Sequence, residues 1–400
     1  MSKLTLQRNV QFLYEAHLAT IELQSFGCDR VRPSADDWKV ISAHVNGNAS
    51  DLVERSAYLA TVEGTPTVYE HLIRPAYQGG EFNRTRSVNQ YLTHWIYPYR
   101  GKFHPQMVRA LLNILGVRAG MKVFEPYLGS GTTALEASLL GAECVGVDLS
   151  PLCVLLTRVK TNSWRAAEQI RSCVGELLAE KRLDIDAVAK RPREDKLVGD
   201  FLEIARMVTL SDVSRRGRES APALRKNLSA MLESVEAYAR AVKRFGLRPG
   251  KVTARVGDCR RATFLESDSI DAVVTSPPYS IALDYVKNDE HALGALNVDL
   301  AALRRTMTGV RGRGAKEKLA LYNEDMKAMF LEVARILKPG AAAAFVIGDA
   351  TVDRTEVTTT EEMTAWAEAV GLHRERTIPK IVFGLYNVMQ DEKILIFRKV

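Results

Sequence analysis

The segment Thr275 to Tyr279, with the sequence TSPPY, directly follows the apolar run Asp271 to Val274. The run predicts a buried strand, and open α/β folds bind ligands at the carboxyl edge of their sheets. Because proline has no amide donor, the carbonyls of Ser276 and Pro277 are left to accept hydrogen bonds, and Tyr279 offers a face for stacking. This combination suits the exocyclic amino group of an extruded nucleobase. A simple strand-ending turn is the alternative, since proline pairs commonly mark turns.

A glycine-rich loop, EPYLGSGTT from Glu125 to Thr133, follows another predicted strand and precedes a predicted helix. Glycine lets the backbone approach a ligand, and the helix start offers unpaired amides to an electron-rich group. The loop has neither the GxGxxG pattern nor a P-loop lysine. Glu125 would repel a diphosphate but attract the amino group of a methionine moiety, and Asp148, after the next strand, suits ribose hydroxyls. Structural glycines with a solvated acid are the alternative.

Taken together, the motifs resemble those of the DNA amino-methyltransferases, which methylate N4 of cytosine or N6 of adenine. The resemblance covers roughly residues 97–160 and 252–400. Its motifs are GKFHP from Gly101, FEPYLGSGTT from Phe124, GVDLSP from Gly146, Gly257-Asp258, TSPPY from Thr275 and RILKPGAAAAFVIGD from Arg335. The family usually has aspartate and phenylalanine where this chain has Glu125 and Tyr127.

The resemblance implies S-adenosylmethionine as cofactor and a site made of two groups of residues. The cofactor group is Lys102, Phe103, Glu125, Pro126, Tyr127, Gly129, Gly131, Thr132, Thr133, Asp148, Leu149, Asp258 and Thr275. The catalytic group is Ser276, Pro277, Pro278 and Tyr279. In the implied mechanism Ser276 and the Pro277 carbonyl accept the two amine protons, Pro278 shapes the turn and Tyr279 stacks on the flipped base.

Serine in the first catalytic position resembles the cytosine-N4 subgroup, whereas aspartate or asparagine resembles the adenine-N6 and protein-glutamine subgroups. Methylation of a cytosine ring carbon needs a thiolate nucleophile, and none of the five cysteines follows a proline. We therefore expect a DNA methyltransferase specific for cytosine N4. The alternatives are adenine-N6 methylation, methylation of an RNA base, and a catalytically silent nucleotide-binding regulator, which would have no use for an intact SPPY.

The alternation of predicted strands and helices indicates an α/β protein with a Rossmann-like class I methyltransferase sheet. We predict a mostly helical amino-terminal module at residues 1–95, with a helix from Leu4 to Gln24. The methyltransferase domain follows at 96–163 and 247–400, and a helical insert separates its two parts at 164–246. Residues 285–320 form a candidate DNA-contacting segment, although solvated helix faces explain such basic runs equally well.

Composition is that of an ordinary globular protein: 400 residues, 46% hydrophobic and 26% charged, with a net charge of +7. The positive charge suits a polyanionic partner, and the expected partner is double-stranded DNA, with a restriction endonuclease of the same system as a further candidate. The scattered cysteines argue against a metal site. Without a membrane-spanning run or a secretion signal, we expect a cytoplasmic protein. The recognition sequence and the oligomeric state do not follow from these residues.

Overall fold

The computed structural model describes residues 1–73, 90–190, 195–278, 283–348, 350–352, 355–357, 359–383 and 389–400. Its amino-terminal region contains strands and helices in alternation. They are Ser2–Leu6 (β1), Leu13–Ser25 (α1), Cys28–Pro33 (β2), Val40–Val45 (β3), Ala49–Arg55 (α2), Leu59–Val62 (β4), Thr65–Pro66 (β5) and Val68–Ile73 (α3). In these residues the strands form an antiparallel sheet in the order β2-β3-β1-β4-β5.

The prediction of a mostly helical amino-terminal module is therefore wrong. The predicted helix from Leu4 begins instead at Leu13, because the residues before it alternate with period two. Leu4 and Leu6 are buried, whereas Thr5 between them is only half-buried and Lys3 before them is exposed, which is the pattern of a half-buried strand. Both leucines join a hydrophobic core that continues into the large sheet around Val123. A domain boundary at residue 95 stays a prediction.

The remaining elements include a second, larger sheet with helices on its two faces, and two of the later strands, Ala350–Val352 and Thr355–Val357, form a small separate sheet. The remaining elements are Pro105–Ile114 (α4), Lys122–Glu125 (β6), Thr132–Leu139 (α5), Glu143–Asp148 (β7), Pro151–Asn162 (α6), Ala167–Ala179 (α7), Ile185–Lys190 (α8), Lys196–Arg216 (α9), Ser220–Phe245 (α10), Val252–Val256 (β8), Ile270–Thr275 (β9), Tyr285–Asn288 (α11), Glu290–Ala295 (α12), Leu300–Thr306 (α13), Gly314–Ile336 (α14), Leu337–Gly348 (β10), Ala350–Val352 (β11), Thr355–Val357 (β12), Thr359–Ala369 (α15), Leu372–Phe383 (β13) and Met389–Lys399 (β14).

Within the described residues the large sheet has the order β13-β14-β10-β9-β6-β7-β8. Strands β6 to β10 run parallel to one another, and β14 pairs antiparallel with β10 and β13. The predicted Rossmann-like α/β sheet is confirmed. The chain moves from β6 outward through β7 and β8, and later returns to the other side of β6 as β9. The crevice outside the carboxyl ends of β6 and β9 is thus the switch point at which such sheets bind ligands.

The predicted helical insert at 164–246 contains α7 to α10 in its described part. These helices enclose a separate core with α6 around Leu156, Phe201 and Leu228. The insert's exact boundaries stay a prediction. No helix of the described chain is both long and apolar enough to cross a bilayer.

Candidate active site

Strands β6 and β9 bring the glycine loop and the SPP segment together. The two strands pair in parallel, with Phe124 opposite Val273, so they end at the same edge. There the Thr275 hydroxyl donates a hydrogen bond to the Glu125 carboxylate. Two segments that are 150 residues apart in sequence therefore begin in direct contact at the switch point.

A pocket opens over this contact. Its empty volume, which includes space open to solvent, is about 950 Å³. Among the residues predicted for the site, those that line it are Phe103, Glu125, Pro126, Tyr127, Gly129, Thr132, Thr133, Asp148, Leu149, Asp258, Ser276 and Pro278. Thr275 lies beneath the pocket, fully buried against Glu125. Tyr279 lies outside the described residues.

The glycine loop is shaped by backbone contacts that require glycine. Gly129 and Gly131 have φ angles of +45° and +71°, which are readily adopted only by glycine. A Cβ on Gly131 would lie 2.6 Å from the Thr157 hydroxyl oxygen, and one on Gly129 would lie 3.4 Å from the Tyr99 ring. Gly131 therefore packs against α6 behind the loop and caps α5, while Gly129 faces the pocket.

Asp148 closes the other side of the loop. One carboxylate oxygen accepts a hydrogen bond from the Gly129 amide and the other accepts one from the Ser150 amide, each at 2.9 Å. A carboxylate can accept about four hydrogen bonds, so acceptor sites remain for ligand hydroxyls in the pocket that it lines. Burial raises the pKa of Asp148 above its ordinary value.

Glu125 is the most deeply buried acid of the pocket, with 2% of its surface exposed. Its carboxylate accepts hydrogen bonds from the Tyr127 amide at 3.1 Å and from Thr275. Burial raises the pKa of Glu125 to about 8. Without a neighbouring cation the group is therefore largely protonated at neutral pH, and an ammonium group would favour its charged form.

Asp258 lines the pocket, but its carboxylate is bound to Arg260. The Arg260 amide donates to it at 3.0 Å, and the guanidinium donates from Nε at 2.8 Å and from Nη2 at 2.6 Å. Burial raises the pKa of Asp258, but the hydrogen bonds and charge of Arg260 hold it below its ordinary value. A hydrogen bond from the cofactor to Asp258 is therefore limited to the acceptor sites that Arg260 leaves.

Lys102 and Pro277 do not line the pocket. The Lys102 ammonium donates to the His94 carbonyl at 2.6 Å and lies 4.8 Å from the centre of the Trp95 ring. Its neighbour Phe103 does reach the pocket. The motif that contains Lys102 and Phe103 is thus at the site, but the sequence could not show which of the two side chains faces the pocket.

The structure adds pocket residues that sequence reasoning missed, namely Tyr99, Cys153, Cys259, Tyr285, Asp289, Leu293, Met307 and Thr308. Asp289 is nearly buried and accepts a hydrogen bond from the Tyr97 hydroxyl at 2.9 Å. Part of the candidate DNA-contacting segment 285–320 is therefore a wall of the pocket. Two of its arginines are paired internally, Arg304 with Asp284 at 2.7 Å and Arg311 with Asp325.

The donors and acceptors of the pocket fit S-adenosylmethionine. Glu125 offers a carboxylate for its ammonium group, and Asp148 offers acceptors for ribose hydroxyls. The first turn of α5 presents amides that have no intrahelical partner, which suits the carboxylate. Among the described residues no cluster of three or more histidine, cysteine, aspartate or glutamate side chains could hold a metal ion.

Comparison with known proteins places related sequences over the same region. Residues 96–178 match the UPF0020 family model, described as "RMKL-like, methyltransferase domain". The chain is 30% identical over 120 residues to the type II methyltransferase M.MjaII of Methanocaldococcus jannaschii, covering 30% of this chain and 19% of that protein.

Two further relatives have similar levels of identity. The tRNA (guanine(10)-N2)-dimethyltransferase of Methanothermobacter thermautotrophicus is 30% identical over 156 residues, covering 34% of this chain and 46% of that protein. The type II methyltransferase M.BsoBI of Geobacillus stearothermophilus is 34% identical over 95 residues, covering 24% and 17% respectively. The matches thus span less than half the length of each of these relatives.

These similarities and the motifs confirm the predicted resemblance to DNA amino-methyltransferases, with S-adenosylmethionine as cofactor, whereas the cytosine-N4 subgroup stays a prediction. Over the matched residues, the chain is therefore similar to methyltransferases.

Proposed function

We propose that this protein transfers a methyl group from S-adenosylmethionine to the N4 amino group of cytosine in double-stranded DNA, after the base has left the duplex. The observation that carries the proposal is the hydrogen bond from Thr275 to Glu125. It fixes the start of the SPP segment against the cofactor loop, and Ser276 lines the same pocket as that loop, with Pro277 next to it in the chain.

When bound, S-adenosylmethionine supplies a methyl group on a positively charged sulfur that an amine lone pair can displace. Glu125 attracts the ammonium group of its methionine moiety, and Asp148 accepts hydrogen bonds from the ribose. The two carboxylates orient the cofactor at its two ends, and Asp148 is itself held by the Gly129 amide. Such orientation contributes to rate by positioning the reacting atoms.

Ser276 and the Pro277 carbonyl are the acceptors proposed for the two N–H bonds of the amine. The carbonyl of Pro278 is already occupied, because the buried hydroxyl of Tyr322 donates to it at 2.9 Å. This hydrogen bond anchors the proline pair to α14 and leaves the preceding carbonyls for the substrate. Acceptors on both N–H bonds make the amine nitrogen more nucleophilic, an electrostatic contribution to catalysis.

Thiol chemistry is disfavoured in this pocket. Cys153 and Cys259 line it, and both are free and buried. Burial raises the pKa of Cys259 to about 12 and that of Cys153 well above its ordinary value. A thiolate is the required nucleophile for attack on a cytosine ring carbon, so these residues favour direct transfer to an exocyclic amine.

DNA is favoured as substrate by the type II methyltransferase relatives, and Ser276 favours cytosine N4 over adenine N6. The exposed Arg305, Arg313 and Lys316 are available for phosphates, as polyanion binding requires. One relative favours a second candidate, methylation of an exocyclic amine in structured RNA, because its name specifies guanine N2 of tRNA. A partner restriction endonuclease remains part of the proposal.

The test uses two separate reactions of the purified chain with methyl-labelled S-adenosylmethionine. One contains mixed-sequence duplex DNA and the other contains bulk tRNA. After nuclease digestion the nucleosides are separated by liquid chromatography and mass spectrometry. We expect label in N4-methylcytosine from DNA and none after Ser276→Ala. Label in N6-methyladenine would contradict the base, label only in tRNA would contradict DNA as substrate, and label in neither would contradict the proposed activity.

A further inference from the structure

A buried lysine lies directly behind the glycine loop. Lys160, on α6, is fully buried, and its ammonium donates a hydrogen bond to the Ser130 carbonyl at 2.6 Å. Within the described part of the chain it forms no ion pair with an acidic side chain. The nearby buried carboxylate of Glu136 is bound instead by Tyr91, His94 and Arg109.

Burying a cation without a counter-ion is costly. Burial lowers the pKa of Lys160 to about 7, which is the sign of that cost. A methionine or leucine at this position would fill similar space without it. This cost indicates that the hydrogen bond of the Lys160 ammonium group has a role of its own.

That contact fixes one peptide group of the cofactor loop from both ends. The carbonyl of Ser130 is held by Lys160, and the amide of the same peptide group, on Gly131, donates to the Leu128 carbonyl at 2.6 Å. Gly131 is also the residue that caps α5 and packs against Thr157, three residues before Lys160 on α6. Thr157 and Lys160 thus contact the loop directly before Thr132 and Thr133.

We propose that Lys160 is a positioning residue, which holds the Ser130 carbonyl so that the amides at the start of α5 face the amino-acid end of the cofactor. The positive charge behind the loop also complements the carboxylate at that end. The adenosine end, placed at Asp148 and Leu149, does not depend on this peptide group. Lys160 thus acts on one part of the cofactor only. The inference rests on the cofactor part of the proposed function.

Two ligands separate this role from a general structural one. S-adenosylhomocysteine has both the adenosine and the amino-acid groups, whereas 5′-methylthioadenosine lacks the amino acid. Isothermal titration of Lys160→Met should show S-adenosylhomocysteine binding weakened about tenfold or more, the scale of a lost hydrogen bond to a charged group. Binding of 5′-methylthioadenosine should change less than about twofold, within the range of a distant substitution.

Thr93→Val is the matched control. The Thr93 hydroxyl is buried and donates to the main-chain carbonyl of Lys160 at 2.7 Å, so the variant disturbs the same neighbourhood without removing the ammonium group. It should affect both ligands equally. If Lys160→Met is unfolded by circular dichroism, Lys160→Gln keeps the site polar and should show the same selective loss, because its shorter side chain does not carry the ammonium to Ser130.

Equal weakening of both ligands by Lys160→Met, or unchanged binding of S-adenosylhomocysteine, would overturn the proposed role. Failure of the wild-type protein to bind either ligand would overturn the cofactor assignment itself. Selective loss in a protein that methylates neither DNA nor tRNA would support the role of Lys160 and contradict only the proposed activity. The two conclusions therefore fail in distinguishable ways.

Discussion

On the cofactor side of the pocket, from Glu125 to Gly131, main-chain amides of the loop are bound by nearby residues of the sheet, whereas the described residues of the target side, from Ser276 to Thr308, are held by side-chain hydrogen bonds. On the cofactor side, the Leu128 amide donates to the Val147 carbonyl at 3.0 Å and the Gly129 amide donates to Asp148. These partners come from the adjacent strand β7.

On the target side the partners are distant in sequence. Tyr97 binds Asp289, and Tyr322 binds the Pro278 carbonyl. Asp325, on α14, accepts hydrogen bonds from Arg260 and from Arg311. The shape of the glycine loop is thus set largely by the adjacent strand, while the cover formed by α11 to α13 depends on long-range side-chain contacts. Substitutions on the two sides should therefore have separable effects.

The largest separation is expected for Ser276→Ala. The variant keeps the strand and both prolines but removes one proposed acceptor, so turnover should fall by on the order of 10²-fold, the effect of removing one electrostatic contact to the reacting group. The Kd for S-adenosylhomocysteine should stay unchanged. Turnover is measured by methyl transfer to DNA and Kd by titration. Unchanged turnover would remove Ser276 from the catalytic group.

Asp325→Ala tests the target side by its stability. Asp325 is buried, with 1% of its surface exposed, and the variant leaves two arginines without their shared carboxylate. The free energy of unfolding in urea should fall by about 3 kcal/mol, as for a broken buried ion pair. The KM for DNA should rise more than the Kd for S-adenosylhomocysteine.

Arg304→Gln is the control for Asp325→Ala, because it breaks the pair with Asp284 in which both side chains are more than a third exposed. That loss should be below about 1 kcal/mol. Similar losses in the two variants would show that the buried network has no special role in holding the target side.

The same contrast explains what the sequence could predict. Glu125, Asp148 and Ser276 lie at or directly after strand ends, and parallel strands bring such residues to one sheet edge, so their meeting followed from local pattern. Asp289 and Met307 were missed because they reach the pocket only when α12 packs against α9 of the insert, a contact that no local pattern encodes.

Lys160 shows a second limit of the sequence. Its position on an amphipathic helix is typical of a solvated lysine, and only the packing of α6 under the loop makes it a buried donor to Ser130. The amino-terminal sheet shows a third. Leu4 and Leu6 alternate over too few residues to be distinguished from the start of α1 until their antiparallel partners are known.

Asp148→Asn should weaken the cofactor side specifically. Both carboxylate oxygens accept hydrogen bonds from backbone amides, so an asparagine must turn its NH₂ group toward one of these donors. An unsatisfied buried donor costs about 1–3 kcal/mol, and we expect S-adenosylhomocysteine binding to weaken about tenfold or more. Equal weakening of DNA binding, measured without cofactor, would contradict a local effect.

A pH dependence of cofactor binding is expected at Glu125. Its pKa is about 8 because of burial, and a bound ammonium group lowers that value. Between the lower pKa of the ligand-bound protein and the pKa of about 8 in the free protein, binding releases a proton from Glu125. The affinity for S-adenosylhomocysteine should therefore rise with pH by up to about tenfold per unit and level off above pH 8. Glu125→Gln has no proton to release there, and its profile should be flatter.

Because the pKa of Glu125 is raised, the stability of the ligand-free protein falls as the pH rises, which is opposite to the trend in affinity. Its folded-state pKa of about 8 exceeds the ordinary 4.5, so its stabilising contribution is present below pH 4.5 and is lost as the pH rises through 8. Glu125→Gln should therefore raise the Tm of the free protein at pH 9 relative to wild type, and should weaken stabilisation by S-adenosylhomocysteine at that pH. A binding profile of Glu125→Gln as steep as that of the wild type would assign the titration to another group and remove Glu125 from the ammonium site.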